Sequence, residues 1–121
     1  MAVLTVTKLD DSAGVDAEAS FVAAAVGGDL LPNGEGDAFV HVKNAGVGSI
    51  NVTAAIVNGS RTIEGFGAFS KSSLVVAVPA GEERLIGPFP RGAWNNTSGQ
   101  VALSYSGVTS VTVRAYRAPR V

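Results

Sequence analysis

Short valine-rich runs, each cut off within a few residues by glycine, proline or asparagine, constrain this 121-residue chain more than any other feature. β-Branched side chains suit the pleated, half-buried surface of a strand and are stiff in a helix. Turn residues at such short spacing leave little room for a helix of useful length. The clearest run, Ser49–Val57 (SINVTAAIV), puts Ile50, Val52, Ala54 and Ile56 on one face and Asn51 and Thr53 on the other. Val101–Ser106 aligns Val101, Leu103 and Tyr105, and Ser110–Ala118 turns Val111, Val113 and Ala115 inward. Gly107–Thr109 is predicted to join those two as a hairpin.

Val3–Leu9, Ser20–Val26, Ala38–Lys43, Leu74–Val78 and Arg84–Phe89 bring the expected number of strands to about eight. Leu74–Val78 (LVVAV) is apolar throughout, which predicts a strand covered on both faces. Pro88 confines Arg84–Phe89 to an edge or a strand end. Asp29–Asp37 reads as a loop around Pro32 and Asn33-Gly34, and Pro90–Gln100 as a long polar loop. Arg61–Ser73 is a glycine- and serine-rich insertion with no assigned structure. The expected fold is all-β: a single-domain β-sandwich or jelly-roll-like barrel over residues 20–121, with residues 1–19 as an N-terminal strand or arm free to reach another subunit.

Composition sharpens this. Eighteen valines and eighteen alanines against seven leucines and one tryptophan predict a thin core between two sheets. The absence of cysteine excludes a disulfide scaffold, and 46% hydrophobic residues at a net charge of −1 argue against disorder. The longest apolar stretch, Phe21–Val26, falls far short of the roughly 20 residues a membrane-spanning helix needs. No basic segment precedes an apolar one at the N-terminus, so the expectation is a chain made and kept in a reducing cytoplasm, without membrane partners.

The small net charge hides a division. Residues 1–37 hold seven acids (Asp10, Asp11, Asp16, Glu18, Asp29, Glu35, Asp37) and one base, Lys8, whereas residues 38–121 hold eight bases and three acids. An acidic N-terminal region packing on a basic surface, its own or a neighbour's, is the physical expectation. Nucleic acid is a poor partner for a chain with no Lys/Arg cluster and a pI near 5.7.

Routes to catalysis are few. His41 is the sole histidine and sits in the alternating strand AFVHVK, with no G-x-S-x-G elbow to accompany it. The adjacent pairs Glu82-Glu83 and Asp10-Asp11 point apart on extended backbone and cannot serve as paired carboxylates. One histidine and no cysteine exclude a typical zinc site. Asp29, Asn33, Glu35 and Asp37 supply oxygen donors that could chelate calcium, though without the spacing of an EF-hand loop. No catalytic residue, cofactor or resident metal is assigned, and the chain is not expected to be an enzyme. Trp94, with Asn95 and Asn96, reads either as a contact for a glycan or protein partner or as a plug at one end of the sandwich.

Phe39-Val-His-Val-Lys-Asn44, Val75-Val-Ala-Val-Pro-Ala-Gly81, Arg84-Leu-Ile-Gly-Pro-Phe89, the Trp94-Asn95 loop, Val101–Ser106 and Val108-Thr-Ser-Val-Thr-Val-Arg114 follow one another in an order that resembles small all-β virion proteins of tailed bacteriophages. The resemblance covers roughly residues 20–118. It implies a capsid decoration (cement) protein, bound to the outside of a major capsid protein shell as a homo-oligomer, trimers being common. Asp10, Asp11, Trp94, Asn95, Asn96, Arg114 and Arg117 are the candidate partner contacts. A carbohydrate- or receptor-binding sandwich, and a tail or head-fibre subunit, are the alternatives.

Overall fold

A computed structural model describes residues 2–9 and 14–119 of the chain. Two five-stranded sheets face each other without closing into a barrel, and a separate two-stranded hairpin stands outside them. The first sheet runs β1 (Ala2–Val3), β4 (Asp29–Pro32), β11 (Gln100–Tyr105), β6 (Ile50–Ala54) and β9 (Leu74–Val78). The second runs β10 (Glu83–Ile86), β5 (Ala38–Asn44), β12 (Val111–Arg117) and β2 (Val6–Lys8), with β3 (Val22–Ala23) also on β12. β7 (Ser60–Ile63) and β8 (Gly67–Ser70) form the hairpin, and α1 (Arg91–Trp94) is a single helical turn.

The alternation read from the sequence is what places the core. Along β5 every second residue is buried, Ala38, Val40, Val42 and Asn44. Opposite stand Ile50, Val52 and Ala54 of β6 and Val101 and Leu103 of β11, with Val111, Val113 and Ala115 of β12 completing the layer. Valine and alanine supply most of these positions, giving the small-side-chain core that the composition implied.

Several expected elements are corrected. β11 and β12 are not a hairpin: β11 pairs with β4 and β6, whereas β12 pairs with β5 and β2, so Gly107–Thr109 carries the chain from one sheet to the other. β9 and β10 are likewise split between sheets. Asp29–Pro32 is a strand rather than loop, because its Leu31 side chain fills the core and Pro32 stands at the strand's end. Leu74–Val78 is not covered on both faces: it is the edge of the first sheet, with Leu74 and Val75 exposed. Among the described residues twelve strands replace the expected eight, because Val3–Leu9 divides in two, Asp29–Pro32 adds one, and the unassigned stretch from Ser60 to Ser70 adds two.

Val3–Leu9 divides for a topological reason. β1 runs parallel to β4 in the first sheet, and β2 runs parallel to β12 in the second. Leu4, between them, drops its side chain into the core and donates its N–H to Leu30 at 2.9 Å. The N-terminal segment therefore stitches the two sheets along one side. On the opposite side β9 and β10 are the outermost strands among the described residues. Gly28, just before β4, has φ +91°, and a Cβ there would lie 2.3 Å from the Leu103 carbonyl oxygen, so only glycine fits.

Candidate functional site

The residues singled out as partner contacts separate sharply once the fold is in place. Trp94 closes α1 and is 4% exposed, with its ring 5.1 Å from that of Phe89. It sits where a plug would, because the single turn Arg91–Trp94 folds the indole back over the end of the core. Asn95 and Asn96 are engaged in shaping the loop. Asn33 donates to Phe89 O and to Asn95 Oδ1, both at 2.8 Å, and accepts from the Ala38 N–H at 3.1 Å. Asn95 donates back to Asn33 O at 2.9 Å, and Asn96 Oδ1 accepts the N–H groups of Ser98 and Gln100.

Arg114 is buried, 6% exposed, between the Asp16 segment and Thr7 of β2. Its guanidinium donates to the Asp16 carbonyl and lies 4.7 Å from the Tyr116 ring centre. Arg117 makes two hydrogen bonds to Asp37, at 3.1 and 3.3 Å, and the hydrogen bond holds its pKa above the ordinary arginine value. Glu18 does the same for Lys43, accepting at 2.7 Å. Two acids of the N-terminal region thus pair with bases of the same chain, Glu18 with Lys43 and Asp37 with Arg117. Asp10 and Asp11 lie outside the described residues.

The remaining chemical candidates do not converge. His41 Nε2 lies 2.6 Å from Glu83 Oε1, and the ring meets Phe21 edge-on at 5.0 Å, so the atom a triad would turn toward a serine faces a carboxylate. The oxygen donors of 29–37 are separately occupied: Asp29 accepts from Tyr105, Asn33 holds its own loop, and Asp37 binds Arg117. Among the described residues no three His, Asp or Glu side chains gather closely enough to hold a metal ion. No helix among them is long and apolar enough to cross a membrane.

What the structure does bring together is an exposed apolar region on the open side. β9 presents Leu74 and Val75, 37% and 58% exposed, on a sheet edge paired inward with β6, whose outward backbone groups meet no strand among the described residues. Beside it is a groove of about 640 Å³ lined by Ser73, Leu74, Val75, Pro88, Phe89 and Trp94 among others. The β7–β8 hairpin projects from the same region with Phe66 79% and Phe69 55% exposed. Sequence reasoning missed the hairpin, although Ile63-Glu64-Gly65-Phe66-Gly67 carries the glycine spacing of a short turn between strands. Compared with protein-family models, curated proteins and solved structures, the chain matches none of them.

Proposed function

We propose that this chain is a structural protein of a virus particle: a capsid decoration (cement) protein of the tailed-bacteriophage type. After synthesis in the bacterial host cytoplasm it binds the outer surface of the major capsid shell and stabilises it. The resemblance carried by Phe39–Asn44, Val75–Gly81 and Arg84–Phe89 supports this reading. The one structural observation that carries it is the open β9 edge, a run of five apolar residues without a charge. Soluble domains normally guard such an edge with charge, proline or a covering loop. An unguarded edge fits a chain whose working state adds a neighbour's strand or apolar surface there.

A clamp on a shell needs rigidity and many modest contacts repeated over the particle, which multivalency converts into firm attachment. The stitched sandwich supplies the rigidity, and the open side supplies the contact. The carbohydrate-binding alternative loses its stacking platform, because the Trp94 indole is inside the protein. Mixing the purified protein with capsid shells that lack a decoration layer tests the role. Co-sedimentation with the shells and increased heat resistance are expected, and Val75→Glu on the β9 edge reduces both. Shells that neither bind the protein nor gain heat resistance, at low or high salt, would overturn the proposal.

A further inference from the structure

We infer that the β7–β8 hairpin is a self-assembly element, whose tip seats Phe66 in the apolar groove of a second copy of this chain. All eight strand residues of the hairpin are exposed, and among the described residues they pair only with each other. A two-stranded hairpin with nothing packed on it is marginally stable in water, so a covering surface would steady this one. The register sets Arg61 opposite Phe69 and Ile63 opposite Gly67, which gathers Ile63 and Phe69 on one face. Gly65 and Gly67, at φ +82° and +91°, close the loop that holds Phe66 outward.

The groove lies at the hairpin's own base, since Lys71, which follows β8 directly, is one of its lining residues. A four-residue strand carries the tip roughly 13 Å from that base at about 3.3 Å per residue. The tip therefore fills another molecule's groove and not its own. Charge selects the same pairing: Glu64 stands beside Phe66 at the tip and Lys71 at the groove, and neither is in a salt bridge among the described residues. Seating Phe66 against Leu74, Val75 and Pro88 brings the two charges together, which an arbitrary apolar segment would not do. Because the donating and accepting surfaces differ, the contact forms a reciprocal pair, a ring or, where the rotation does not close, an open filament.

This inference deepens the oligomeric side of the proposed role, and its test uses purified protein with no particle present, so that its failure leaves the capsid reading standing. In sedimentation equilibrium the wild type self-associates, and Phe66→Ser and Lys71→Glu each weaken association at least about tenfold. Glu64→Lys added to Lys71→Glu restores part of the loss. The decisive measurement mixes Phe66→Ser, which keeps its groove, with Val75→Glu, which keeps its tip. Each is monomeric alone, and together they form a one-to-one complex. Circular dichroism and Trp94 fluorescence establish that each variant is folded, as expected for substitutions at exposed positions. A wild type that stays monomeric across a dilution series overturns the inference, even if Phe66 then proves to contact a shell. So does association unchanged by Phe66→Ser, or a mixture that remains monomeric.

Discussion

Tyr105 donates a 2.7 Å hydrogen bond to Oδ2 of Asp29, a carboxylate 76 positions away in sequence and 1% exposed. The bond fastens β11 to β4 beyond their ladder, and the Ala25 N–H is the other donor to the same oxygen, at 3.3 Å. Burial, and then the hydrogen bond to Asp29, push the Tyr105 pKa well above its ordinary 10.0.

The consequence is an alkaline limit on stability. Below pH 10.0 the folded and unfolded chains both keep the Tyr105 proton, and its contribution is constant. Above that pH the unfolded chain releases a proton that the folded chain retains, so unfolding gains about 1.4 kcal/mol per pH unit from this group. Tyr105→Phe should cost on the order of 1–3 kcal/mol at neutral pH, from the donor lost to a buried carboxylate. It should also flatten the alkaline fall. Urea midpoints of the two proteins from neutral pH to pH 11 (a value set by the roughly 10 of tyrosine) check both, and parallel curves would contradict the assignment.

Asn33 is a second buried polar centre. It is 1% exposed, and its side chain ties Phe89, Asn95 and Ala38 together. Asn33→Leu keeps the volume but abandons every one of those partners inside the protein, with an expected loss of about 3 kcal/mol. Asn95→Ala should cost less, and the double variant less than the sum, since both remove the same bond. Urea unfolding at unchanged m-value measures the coupling; strict additivity would place the two residues in separate networks.

These centres show what was legible in the sequence. The alternation of β5, β6, β11 and β12 was readable because a strand with one buried face must repeat every second residue. The inward sets Ile50, Val52, Ala54 and Val111, Val113, Ala115 are those found in the core. Asp29–Pro32 was hidden because an aspartate and a proline bracket its leucines, and the partner that makes burial of Asp29 tolerable is Tyr105, far along the chain. Leu74–Val78 shows the opposite difficulty. A continuous apolar run states that a strand is to be covered, not that the cover belongs to the same chain. Trp94 was ambiguous for a similar reason, since a lone tryptophan among asparagines serves equally as plug or contact until the backbone turns it.

Trp94 is the sole tryptophan, and its burial against Phe89 makes it an internal reporter. Trp94→Ala should remove about 3–5 kcal/mol, a large share of the 5–15 kcal/mol typical of a domain. Trp94→Phe should cost clearly less, by keeping an aromatic ring on Phe89. Native emission should be blue-shifted and should move to the red on unfolding. Simple sugars should leave it unchanged, whereas quenching by a sugar at low concentration would return Trp94 to the surface.

The N-terminal strand gives the last prediction, because two roles compete for the same residues. As an arm, residues 2–8 would be dispensable to the fold and needed only for contact with a partner. As a stitch, they hold one edge of each sheet, with Leu4 5% exposed between them. Leu4→Ala should then cost about 2–5 kcal/mol, the range for truncating a buried leucine. Deleting residues 2–8 should do more: it strips the cover from β4 and from the end of β12, leaving unpaired backbone at two further edges. The truncated protein should unfold at markedly lower urea concentration and should scatter light on warming, whereas Leu4→Ala should lose stability while remaining dispersed. A truncated chain that unfolds at the wild-type midpoint without aggregating would return the segment to the role of an arm.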